Sequence, residues 1–190
     1  MGSGNRDASF ILYCSAEHAK QTTQPKPLSK NDPAKLTKVS VRLPFGIGGA
    51  ELEADPTERH AAWSLYVELV TRIALQTLEH DMGMSREALS SLKSLFGSTR
   101  EILREAGPNV GCSRESVGGI AIAVLNRGLR PFLSKWHPLL ETWENQRNPK
   151  ISPREHESCW PRESELRSEL NALRQDLEKY AGALATIAGV

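Results

Sequence analysis

A chain of 190 residues with 24 basic and 23 acidic side chains carries a formal net charge of +1, so no global charge marks it for nucleic acid or an anionic membrane. Its length fits one domain with tails, and a hydrophobic fraction of 39% is low enough to put polar segments outside a core. No apolar run approaches the roughly 20 residues that span a bilayer, which excludes a membrane-spanning helix.

Cys14, Cys112 and Cys159 are odd in number and far apart, which fits a reducing cytoplasm better than a disulfide framework. The N-terminus lacks a secretory pattern, since the apolar cluster Phe10–Cys14 is too brief for a signal core. A cytoplasmic location is the expectation, with no membrane as partner.

Residues 1–35 are rich in Gly, Ser, Thr, Lys, Gln and Pro, with Pro25, Pro27 and Pro33 as breakers. They read as a flexible, mildly basic arm: residues 1–42 hold seven Lys/Arg against Asp7, Glu17 and Asp32. Within the arm, Phe10, Ile11, Leu12 and Tyr13 form an apolar patch. The remainder, 36–190, is expected to be one helical-bundle domain.

The bundle domain opens with a period-two stretch. Val39, Val41, Leu43 and Phe45 alternate with polar or proline positions, and Ala50, Leu52 and Ala54 alternate with Glu51 and Glu53. With Gly46, Ile47, Gly48 and Gly49 between them, residues 36–54 predict a hairpin. The glycines suggest a phosphate loop, but Glu51 stands in place of the third glycine of G-x-G-x-x-G. No Gly-Lys-Ser/Thr follows, so a tight turn explains them better.

Asp55-Pro56-Thr57-Glu58 predicts a helix start, with Asp55 as cap, Pro56 in the first turn and Glu58 reaching back as in a capping box. Helix one is expected over 55–80. Trp63, Val67, Val70, Ala74 and Leu78 are its buried stripe, broadened by Leu65, Leu69 and Ile73. Gly83 breaks the chain, and Ser85 is the expected cap of a helix over 85–106. That helix is lined by Leu89, Leu92, Phe96, Thr99, Leu103 and Ala106, and Gly107-Pro108 stops it.

A third helix is expected over 114–145, started by Ser113 or Ser116 and kinked at Pro131, which lacks the donor for the carbonyl four residues back. Gly118 and Gly119 would permit close helix contact at an interface. Residues 146–161 read as a polar linker with three prolines. The last helix spans 162–190. Its Leu166, Leu170, Leu173, Leu177, Tyr180, Leu184 and Ile187 recur at alternating spacings of four and three, forming one apolar seam. Charged flanks in its first half give way to Ala181, Ala183 and Ala188, which predicts several packed neighbours for the second half.

Catalytic signals are sparse. None of the five histidines falls in a His-x-x-x-His or His-Glu-x-x-His frame, and no Gly-x-Ser-x-Gly elbow occurs. His156 and Cys159, three apart in the linker, are the candidate metal ligands, and they lack two further partners. No cofactor is expected. Trp136, Trp143 and Trp160 lie near cations and could stack bases, but the helical spacing of Trp136 and Trp143 reads better as core.

Arg127, Arg130, Lys135 and His137 cluster around the kink, with Asn126 at its start. Six residues separate Arg130 from His137, a spacing that resembles the outer limit of the arginine–histidine motif of HEPN-type ribonucleases. That family is an all-helical bundle cleaving RNA without metal, usually at a dimer interface. The resemblance implies Arg130 and His137 as an active pair and RNA as partner. It covers this motif alone, and Pro131 stands where a polar residue usually follows the arginine. The plainer reading is a cationic helix surface.

The expected fold is therefore all-α: an antiparallel bundle of about four long helices with a small N-terminal β-hairpin and a flexible arm. The expected function is a non-enzymatic interaction module, an adaptor or accessory subunit. It would bind a protein partner or itself through Leu166, Leu170, Leu173 and Leu177 and through the Gly118–Gly119 face. Two alternatives are the metal-independent ribonuclease and, from base rates for small orphan bundles, an effector or regulator in a bacterial conflict or toxin–antitoxin system.

Overall fold

The computed structural model describes residues 37–72 and 83–190. The arm over 1–35, its Phe10–Tyr13 patch and the expected continuation of helix one through Ile73, Ala74 and Leu78 lie outside the described residues. Two antiparallel strands, β1 (Thr37–Leu43) and β2 (Gly48–Ala54), precede α1 (Pro56–Val70), α2 (Ser85–Ala106), α3 (Val117–Val124), α4 (Arg130–Glu144), α5 (Pro153–Ser158) and α6 (Glu163–Ala188). The described protein is mostly helical, and none of its helices is long and apolar enough to cross a membrane.

The hairpin follows its period-two pattern. Val41, Leu43, Ala50, Leu52 and Ala54 are buried while Arg42, Glu51 and Glu53 face water, and register pairs Val41 with Ala50 and Val39 with Leu52. This apolar face is covered because β1 packs against α6 and β2 against α1.

Asp55 caps α1 as expected, accepting from the Glu58 N–H at 2.8 Å. Glu58 does not close the capping box. Its carboxylate reaches across the fold and accepts from the Val117 N–H at 2.8 Å, filling one of the orphan donors at the start of α3. Burial pushes the Glu58 carboxyl above its usual range, the Val117 bond opposing that shift. Ser85 is not a cap either; it is the first helical residue. Its N–H donates to the Glu157 carboxylate at 2.6 Å.

The expected linker over 146–161 therefore contains a structured element, α5, which Ser152 caps through the Glu155 N–H at 3.2 Å. It places buried Glu157 at the head of α2.

The third predicted helix is interrupted by a wider turn. Between α3 and α4, Leu125–Leu129 form a π-helical turn, in which the Arg130 N–H bonds the Leu125 carbonyl, five residues back. The π turn ends two residues before Pro131, whose ring would crowd the Arg127 carbonyl in a regular α-helix; a wider turn relieves that conflict.

α6 packs along α1. Its whole seam is buried, with Leu166, Leu184 and Ile187 fully inaccessible. Gly189 ends it in the left-handed region (φ 85°), its N–H returning to the Ala185 carbonyl at 2.9 Å. A second anchor joins α1 to α2, where the Arg72 guanidinium donates to Ser94 and, at 2.9 Å, to Ser98.

Candidate interaction surface

α1 is apolar on more than one side, so only one of its stripes can face the core. The core takes Ala61, Ala62, Leu65 and Leu69, because two adjacent alanines let the helix approach α6 closely. Of the residues expected to be buried, Leu65 and Leu69 are, whereas Trp63 and Val67 are turned out. Trp63 keeps 44% of its surface exposed and Val67 37%. The Trp63 ring stacks on Tyr66, with centroids 5.7 Å apart.

Next to this stripe, the first turns of α1 and the last turn of α2 enclose an open cleft of about 320 Å³. His60, Ala61 and Ser64 form one wall, Ile102, Glu105 and Ala106 the other. The Ser64 hydroxyl donates to the His60 carbonyl at 3.0 Å, which leaves its oxygen free to accept.

The residues expected to meet a partner are occupied within the chain. Leu166, Leu170, Leu173 and Leu177 are 0–7% exposed, so the helix-six seam is core and not a docking face. Gly118 and Gly119 do permit a close approach, but toward the preceding loop. A Cβ on Gly118 would lie 2.6 Å from the Val110 carbonyl oxygen, and one on Gly119 would collide with the Ser113 carbonyl. Ser116 caps α3 by accepting from the Gly119 N–H at 3.2 Å.

Arg130 and His137 share one side of α4, two turns apart. Each is engaged separately with its surroundings. Arg130 donates to the Asn126 amide oxygen at 3.0 Å and lies over the Phe96 ring at 5.6 Å. His137 is half-buried, with Nδ1 3.1 Å from the Arg86 guanidinium. Arginine only donates, so Nδ1 accepts and the ring is neutral. Arg86 also clasps the Glu144 carboxylate, with one bond of 2.8 Å. Burial, then the charges of Arg86 and Lys93, hold the His137 pKa below its ordinary value.

No protein-family model, curated protein or solved structure matches this chain.

The candidate ligands His156 and Cys159 have different surroundings. The His156 ring stacks on Trp143 at 4.7 Å and donates from Nε2 to the Trp143 carbonyl at 2.8 Å, while Cys159 is exposed. Among the described residues no group of three or more His, Cys, Asp or Glu side chains is placed to hold a metal.

Trp136 is inaccessible and Trp160 is buried edge-on to it at 6.0 Å. Lys135 and Arg162 lie over the Trp136 ring at 4.4 and 4.9 Å, and its Nε1 donates to Glu169 at 2.8 Å. That ring is a packing element with no free face for a base.

Periodicity alone did not select the outer face of α1, because residues 61, 65 and 69 and residues 63 and 67 are apolar alike. The signal that separates them is the size of Ala61 and Ala62 against the bulk of Trp63.

Proposed function

We propose that this protein is a non-enzymatic helical interaction module, an adaptor or accessory subunit, which engages a protein partner through the outer face of α1. The observation that carries this reading is the pair Trp63 and Val67, one turn apart and both exposed. A tryptophan left in water beside smaller apolar groups has the character of an interface anchor. Burial of the α6 leucines in the chain's own core takes that seam out of competition, and on α1 two exposed apolar side chains stand together.

The same reading takes the helices as an antiparallel bundle. Pairwise contacts support it: Arg130 of α4 lies over Phe96 of α2, whereas His137, further along α4, meets Arg86, earlier in α2. The two helices therefore run in opposite directions. Exposed free Cys112 and Cys159 suit a reducing, cytoplasmic setting.

The test replaces Trp63 and Val67 together with Asp and compares the variant with the intact chain, after circular dichroism has shown equal helicity. Light scattering at several concentrations reads self-association, and affinity capture reads partner binding. The expected result is loss of association in the double variant; association unchanged by it would remove α1 from consideration as an interface.

A further inference from the structure

The α1 stripe and the α1–α2 cleft form one surface. His60, Ser64 and Val67 follow at helical spacings of four and three, with Trp63 beside them, so the indole and the cleft wall share one side of α1. The two ends differ in chemistry. One is apolar, built from Trp63 and Val67. The other is negative at the cleft itself: Glu105 supplies the formal charge among the described lining residues, Glu101 stands one turn earlier on α2, and Arg104 of the last turn is not among the cleft's lining residues.

α2 also ends at this spot. Its terminal carbonyls lack helical donors, apart from Leu103, which takes the Gly107 N–H at 3.2 Å, so they add partial negative charge. The nearby cation of α1 is turned aside, since the Arg59 guanidinium lies against the end of α6, 3.5 Å from where a Gly189 Cβ would be.

From this we infer that the α1–α2 edge recognises a basic segment of a partner protein, in which a Lys or Arg sits within a turn or two of an apolar side chain. The apolar group covers Trp63 and Val67. The cation enters the cleft against Glu105 and the α2 carbonyls, with the exposed indole face as a second attraction for it. A second copy of the chain is the poorer occupant. A two-fold contact brings each patch onto itself and would set Glu105, Glu101 and the negative end of α2 against their own counterparts. The inference rests on the reading of α1 as an interface, and its test separates the two.

The intact chain is titrated with a short amphipathic Leu/Lys peptide and with a Leu/Glu peptide of equal length, following tryptophan fluorescence. A Trp63→Phe variant identifies the Trp63 contribution. The expected result is saturable binding of the Leu/Lys peptide only. Trp63→Ala abolishes it, Glu105→Gln weakens it roughly two- to fivefold, the range of a partly exposed ion pair, and Glu87→Gln at the opposite end of α2 leaves it unchanged. Equal binding of both peptides, or no loss in Glu105→Gln, overturns the basic-partner inference while α1 remains an interface. Binding of neither peptide, or full binding by a folded Trp63→Ala variant, overturns both. A concentration-dependent dimer abolished by Trp63→Ala overturns the inference in favour of a second copy.

Discussion

The ring of Phe45 occupies the space a side chain would need at Gly128: a Cβ there would lie 2.7 Å from the Phe45 Cζ. Phe45 itself sits at φ 61° and is followed by Gly46 at φ 67°, the two central positions of the turn closed by the Ile47 N–H on the Pro44 carbonyl at 3.2 Å. A turn with positive φ at both positions matches the twist of a hairpin but strains a residue bearing a side chain. Packing of the ring on the glycine of the π turn offsets that strain and fixes the hairpin to the helices. Gly128→Ala should therefore lower stability by about 1–3 kcal/mol through overpacking. The urea midpoint reads the loss, and amide exchange should quicken in β1 and β2. An unchanged midpoint would show that the contact does not hold the hairpin.

Acidification should weaken the α2–α4 contact at His137. Its pKa is depressed in the fold by burial first and by Arg86 and Lys93 next, against the smaller pulls of the Leu89 backbone and of Glu141. The unfolded chain therefore binds the proton more readily. Stability contributed by the neutral ring is present above the unfolded value near 6.5 and is lost as pH falls from there toward the folded value. Protonation would also place an N–H against the Arg86 guanidinium. Urea midpoints at pH 7.5 and 5.5 should differ more for the intact protein than for His137→Asn, and equal differences would reject the assignment.

Tyr180 offers a stabilising substitution. It is 5% exposed and its hydroxyl has no hydrogen-bond partner among the described residues; burial drives its pKa well above the ordinary value. Removing an unpartnered buried hydroxyl while keeping the ring should raise stability by about 1 kcal/mol. Thermal unfolding of Tyr180→Phe checks this, and a lower melting temperature would mean that the hydroxyl is satisfied in solution.

Glu157→Ala should cost about 1–3 kcal/mol, because the Ser85 N–H loses a buried carboxylate acceptor. Glu157→Gln keeps an acceptor and forfeits only the charge at the helix start, so its loss should be smaller. Chemical denaturation of the two variants side by side checks this, and equal losses would mean that a neutral acceptor does not serve the Ser85 N–H.

A chain ending at Asn148 lacks α5 and α6, and with them Leu166, Leu170, Leu173, Leu177, Tyr180, Leu184 and Ile187, all buried. The inner stripe of α1 and the apolar face of the hairpin would be left open to water. Such a truncation should lose cooperative unfolding, read by calorimetry. A truncated chain that melts as sharply as the whole would mean that α6 is dispensable.

Local chemistry determined much of this architecture. Alternation in 39–54 specified the hairpin face, Asp55-Pro56 the start of α1, Gly107-Pro108 the end of α2, and the four-three leucine spacing the buried side of α6. These signals act over a few residues, within the reach of one hydrogen bond or one helical turn. Only the tertiary structure decided the rest. It gave the core the Ala61–Leu65–Leu69 stripe and left Trp63 outside, and it sent Glu58 and Glu157 to cap helices distant in sequence. It also placed Phe45 on a glycine 83 residues away and engaged Arg130 and His137 with α2 separately. Each of these choices depends on which neighbour arrives and how closely it can approach. A helix that is apolar on two sides has no means of making that choice alone.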